Sequence, residues 1–114
     1  MSTSLFDVSD RLALVTGSSR GLGRSLATAL ARAGARVIVH GRDRDAVEAT
    51  RRDLAALSGR ETASVVFDVT DAVAAQAQLE TLIERVGVPD ILVNNAGIQR
   101  RAPIHEFAVQ DLSL

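Results

Sequence analysis

Residues 16 to 23 read Thr16-Gly17-Ser18-Ser19-Arg20-Gly21-Leu22-Gly23. Three glycines so close together suit a backbone that must turn sharply and then approach a ligand. Gly17 supplies a residue tolerant of positive φ. Gly21 lets a diphosphate come up to the main chain with no Cβ in the way. Gly23 lets the segment that follows lie close on its neighbours. An anion held here faces unpaired N–H groups and the positive end of a helix dipole. Gly17, Ser19, Arg20, Gly21, Leu22 and Gly23 are therefore candidate contacts for a pyrophosphate. A glycine-rich connection without a ligand is the structural alternative. A buried strand before the loop and an amphipathic helix after it favour the phosphate reading.

The rest of the chain is patterned to place such a loop. Leu12 to Val15, Val37 to Val39, Ala63 to Phe67 and Ile91 to Val93 are short apolar runs without polar alternation. Strands buried on both faces of a parallel sheet have that pattern. Helical spacing fills the intervals between them. Leu22, Leu26, Ala29, Leu30 and Ala33 line a first face, ended by Gly34. Val47, Leu54 and Leu57 line a second, capped by Asp43 and ended by Gly59. Leu79, Leu82, Ile83 and Val86 line a third, started by Thr70 or Asp71 and ended by Gly87. Pro89 turns the chain into the fourth strand, and another helix begins near Ile104. The order β-α-β-α-β-α-β predicts a Rossmann-type three-layer α/β/α fold. Its first four parallel strands are expected in the order 3-2-1-4, part of a doubly wound sheet.

In such a sheet the end of the second strand chooses between cofactors. An acid roughly twenty residues past the glycines takes a ribose 2′-OH, whereas an Arg accepts a 2′-phosphate. The sequence there is His40-Gly41-Arg42, with no carboxylate at the ribose position. Arg42 offers a planar fork of donors, and Arg20 in the loop is a second partner. NADP is thus expected rather than NAD. The alternative for Arg42 is a solvated turn residue paired with Asp43 or Asp45. His40 reads as a spectator at a strand end.

Composition narrows the classes further. The chain has 114 residues, 46% hydrophobic and 24% charged, which is ordinary for one globular domain. Its 13 basic residues, all Arg, are scattered among 14 acids for a net charge of −1. A nucleic-acid or membrane surface needs a one-signed patch, so neither partner is expected. The absence of Cys removes disulfides and thiolate metal sites, and no metal site is expected. No leader-like start or spanning run is apparent, and the chain reads as cytoplasmic.

The glycine spacing departs from G-x-G-x-x-G. As Thr-Gly-x-x-x-Gly-x-Gly it resembles the short-chain dehydrogenase/reductase family. Asp68-Val69, closing the third strand, matches the place where the family contacts adenine. Asn94-Asn95-Ala96-Gly97, closing the fourth, resembles the family's N-N-A-G motif beside the ribose and nicotinamide. The resemblance implies cofactor contacts at Asp68, Val69, Asn95, Ala96 and Gly97. Asp68 as a turn or helix cap, and Asn94 as a brace between strands, are the structural alternatives. It also implies a small-molecule substrate and a homo-oligomeric full-length enzyme that transfers a hydride between NADP(H) and a hydroxy or keto group.

That family needs a Tyr and a Lys in Y-x-x-x-K to move the proton, together with a Ser and an Asn. This sequence contains no Tyr and no Lys, so no catalytic residue is assigned. Ser58 and Ser113 have no base partner by pattern, and His105 stands alone. Two classes of function follow: the cofactor-binding half of a dehydrogenase whose catalytic half is absent, or a non-catalytic nucleotide-binding or inert domain. The ending Asp111-Leu112-Ser113-Leu114 breaks off within a helical pattern, which favours truncation. The run Asn94 to Pro103 resembles that of gluconate 5-dehydrogenases, and Arg100 or Arg101 suits a sugar-acid carboxylate as well as it suits solvent. A 3-oxoacyl reductase is the alternative within the family.

Overall fold

The computed structural model describes residues 8–95. The expected helix after Ile104 lies outside them. Four strands, β1 (Leu12–Val15), β2 (Arg36–Gly41), β3 (Ala63–Val66) and β4 (Ile91–Val93), alternate with α1 (Gly21–Arg32), α2 (Arg44–Ser58) and α3 (Ala72–Val86). All strand pairs are parallel, and the sheet order is β3-β2-β1-β4. This is the Rossmann-type arrangement that the alternation of runs predicts.

Period-two geometry divides the apolar runs between two cores. Ala13, Val15, Val37 and Val39 face α1 and α2, where they meet Ala27, Ala31, Val47 and Leu54. Leu12, Leu14, Ile38, Val65 and Phe67 face the opposite way, against Ala75 and Leu82 of α3. Register follows the same rule, with Ala13 beside Val37 and Val15 beside Val39.

The helix faces differ from the expected ones. In α1 the buried residues are Gly23, Ala27 and Ala31, whereas Leu22 is 56% exposed and Ala29 and Ala33 face solvent. Small residues allow α1 to lie close on the sheet, so Leu26 and Leu30 flank the contact instead of centring it. Thr50 joins Val47 and Leu54 on the buried face of α2, while Leu57 is exposed. Ile83 of α3 is also exposed.

Helix ends follow side-chain chemistry. Asp43 caps α2 by accepting from the Asp45 N–H at 3.0 Å, and Gly59 closes it with φ 70°. Asp71, not Thr70, caps α3, accepting from the Ala74 N–H at 3.1 Å. At α1 the N-cap position is Arg20, whose side chain caps nothing, and the first turn contains no acid.

Candidate functional site

The uncapped end of α1 opens on a cavity of about 690 Å³ at the carboxyl ends of the strands. Gly17, Ser19 and Arg20 line it from the β1–α1 loop. His40, Gly41, Arg42 and Asp43 line it from the end of β2, and Asp68, Val69 and Thr70 from the end of β3. Ligands of open α/β sheets bind in this region, and the volume suits a small ligand.

The loop is fixed from four directions. Thr16 N–H donates to the Val93 carbonyl at 3.0 Å, tying the end of β1 to β4. Its hydroxyl donates to Asn94 Oδ1 at 3.3 Å. Ser18 and His40 exchange a pair of bonds: Ser18 N–H to the His40 carbonyl, 2.8 Å, and His40 N–H to Ser18 Oγ, 2.9 Å. Thr50 of α2 donates its hydroxyl to the Ser19 carbonyl at 2.9 Å. Asn95 donates its side-chain amide to the Gly17 carbonyl at 3.2 Å. Both polar residues are buried, so each bond satisfies a group that water does not reach. The other amide atom of Asn95, Oδ1, is buried with no partner among the described residues.

Two further glycine positions matter. Gly23 packs beneath the loop, where a Cβ would stand 2.1 Å from the Gly17 carbonyl oxygen. Gly41 makes room for Ser19, whose Oγ would lie 2.7 Å from a Cβ there. Gly21 differs from both. It has φ +62° and nothing within 4 Å of its Cβ direction, so the main chain there is bare to the surroundings.

The residues predicted for the site thus fall into groups. Gly17, Ser19, Arg20, Arg42, Asp68 and Val69 line the cavity. Leu22 is mostly exposed, and neither it nor Gly21 is part of that lining. Gly23 and Asn95 are buried, and they brace the loop from below. Ala96 and Gly97 lie outside the described residues. Asp68 also closes its own turn, its Oδ1 accepting from the N–H of Thr70 at 2.9 Å and its hydroxyl at 2.7 Å.

Charge is distributed unevenly around the cavity. Arg20 approaches Asp43 at 3.9 Å, with both side chains more than half exposed, so the pairing is weak. Asp43 does not pair with Arg42, the partner that spacing suggested; it caps α2 and faces Arg20. Arg42 is exposed on the rim. Sequence reasoning missed His40, which is 2% exposed and bonded through both ring nitrogens. Its partners are main-chain groups, which no residue pattern announces. Thr50 was missed too, although a hydroxyl in the stripe Val47-Thr50-Leu54 was a visible signal. Among the described residues, no group of three His, Cys, Asp or Glu is placed to hold a metal ion. No helix among them is long and apolar enough to cross a membrane.

A parallel 3-2-1-4 sheet with a glycine turn leaving its central strand defines a Rossmann-type α/β protein. Residues 11–113 match the short chain dehydrogenase family, and the chain belongs to it. It is 45% identical over 107 residues to gluconate 5-dehydrogenase of Gluconobacter oxydans, covering 94% of this chain and 41% of that protein. It is 37% identical over 111 residues to 5-keto-D-gluconate 5-reductase of Escherichia coli K12, covering 94% of this chain and 42% of that protein. The L-sorbose reductase of Gluconobacter frateurii, solved with NADPH and L-sorbose, superposes with a TM-score of 0.73 at 33% identity. That match covers 79% of this chain and 35% of the reductase. The chain therefore spans about two fifths of the curated relatives it matches.

Proposed function

We propose that residues 1–114 form the N-terminal nucleotide-binding part of one Rossmann domain in an NADP(H)-dependent oxidoreductase. The observation that carries this reading is the cavity where the bare loop, Arg20 and Arg42 meet. The N–H groups at the start of α1 have no side-chain cap, and no acid in the first turn competes for them. Pyrophosphate fits there, against Gly17 and Ser19, with the bare main chain of Gly21 at the start of α1 beside them. Arg42 and Arg20 fit a 2′-phosphate, and the nearby carboxylate, Asp43, is committed to capping α2. Asp68 and Val69 suit the adenine side, and the resemblance of Asn94-Asn95-Ala96-Gly97 to the family's N-N-A-G motif supports nicotinamide-side contacts for that run.

When bound, the nicotinamide supplies or accepts a hydride. This chain's residues hold and orient the nucleotide, and they contain no Tyr–Lys pair for moving the proton. Proton transfer therefore belongs to residues elsewhere in a longer protein. Likeness to gluconate and ketogluconate enzymes supports a sugar acid as the hydroxy or keto substrate. Calorimetric titration of the chain with NADP⁺ and NAD⁺ tests the reading. Saturable binding that favours NADP⁺ is expected; no binding, or equal affinity for both, refutes it. For the whole protein, oxidation of NADPH by 5-keto-D-gluconate and not by an acetoacetyl thioester is the expected result.

A further inference from the structure

The His40 ring sits between the phosphate loop and the end of β3. Gly17 N–H donates to Nδ1 at 2.9 Å, and Nε2 donates to the Phe67 carbonyl at 2.8 Å. The ring also packs on Phe67, with centroids 4.2 Å apart and planes tilted by 48°. An acceptor on one side and a donor on the other allow one neutral tautomer only, with the proton on Nε2. We propose that His40 is the positioning residue of the phosphate loop: as the acceptor for Gly17 N–H, it fixes the loop in the shape that receives a nucleotide phosphate.

Gly17 is the turning point of the loop, at φ 63°, and its two main-chain groups are held by different side chains. Asn95 takes the carbonyl and His40 takes the N–H. The bond from Gly17 N–H is part-buried, so losing its acceptor carries a desolvation cost that a rotation of the turn would relieve. A proton on Nδ1 has the same effect, because two donors then face each other. Burial of the ring lowers its pKa, opposed by the Phe67 carbonyl and by Asp68. Asp68 is the charge facing it from the segment after β3. Arg42 and Asp43 follow it on its own segment, and Arg20 stands on the loop across the cavity. The neutral ring is thus the form the fold requires near neutral pH.

This inference rests on the nucleotide-binding reading, and two variants separate them. In His40→Asn the amide oxygen replaces Nδ1 as an acceptor, and Phe67 loses its donor. In His40→Gln the longer amide reaches towards Phe67, and Gly17 N–H loses its acceptor. Each full chain is titrated with NADP⁺ between pH 8 and pH 5.5, with thermal melts and Gly17 amide exchange measured alongside. His40→Asn is expected to bind within about threefold of wild type, and His40→Gln at least about tenfold more weakly, the scale of one lost hydrogen bond. Wild-type affinity should fall more steeply than that of His40→Asn towards acid pH. The cofactor's own 2′-phosphate titration is common to both and cancels. Equal losses in both variants, or none in His40→Gln, overturn the inference. If wild type binds no NADP⁺, the nucleotide reading fails, and amide exchange decides the role of His40. Faster Gly17 exchange in His40→Gln than in His40→Asn then supports it, and equal rates overturn it. If His40→Gln does not fold, Gly17 amide exchange in wild type and His40→Asn decides: protection kept in His40→Asn supports the inference, and protection lost there overturns it.

Discussion

Gly23 and Gly17 are in such close contact that the α1 backbone rests against the loop carbonyl, with no space for a methyl group between them. In Gly23→Ala the new Cβ meets Gly17 oxygen at 2.1 Å and Asn95 Nδ2 at 2.6 Å. Neither neighbour can retreat freely, since one is main chain and the other is fully buried. The substitution should destabilise the chain by about 1–3 kcal/mol or more, as overpacking does. Thermal melting checks the stability, and NADP⁺ titration should show binding lost even where the variant folds.

Gly21 provides the contrast. A Cβ there meets nothing within 4 Å, but φ +62° strains any other residue. Gly21→Ala should lower stability by about 1 kcal/mol while losing nucleotide affinity out of proportion, because the methyl occupies the phosphate's approach. A melt and a titration on the same sample separate the two effects.

Arg42→Ala should weaken NADPH binding by ~1–3 kcal/mol, the range for charge-assisted hydrogen bonds. NADH binding should barely change. Equal losses for both cofactors would assign Arg42 a structural role.

Asp43→Ala and Asp71→Ala each remove a helix cap, costing about 1 kcal/mol of stability. Only Asp43 also faces Arg20. Its removal should tighten NADP⁺ binding, whereas Asp71→Ala should leave affinity alone. Calorimetry on both variants makes the comparison.

Stability should depend on pH in two windows. The folded chain holds His40 neutral with its pKa lowered from 6.5, mainly by burial. As pH falls through 6.5, the unfolded chain takes up the proton first, so stability declines towards the lower folded-state pKa. Glu48 behaves as a depressed carboxylate, held by the hydroxyl of Ser64 and by Arg51. Its contribution is present above 4.5 and is lost as pH falls further. Melts of wild type and His40→Asn should differ in slope as pH falls below 6.5, wild type losing stability the faster.

The fold was legible because burial on two faces leaves unbroken apolar runs, such as Leu12 to Val15. The glycine loop was legible because φ and close approach restrict the residue type. Helix faces were read less well. Gly23, Ala27 and Ala31 are the buried residues of α1, and hydrophobicity alone gives such residues less weight than Leu22. His40 was illegible for a related reason: its value lies in two main-chain partners, 23 and 27 residues away.

The two anchors of Gly17 also differ in when a growing chain can make them. His40 follows 23 residues later, but Asn95 follows 78 residues later. On a ribosome releasing chain from the N-terminus, the β1-α1-β2 unit and its histidine contact emerge together. The asparagine contact waits until α2, α3 and β4 have been made, and it closes a much longer loop. A nascent chain that stops short of β4 has the histidine acceptor for Gly17 N–H but not the asparagine brace beneath the loop. On the nucleotide-binding reading proposed above, the set of anchors that shapes the loop is complete only once β4 and Asn95 have been made.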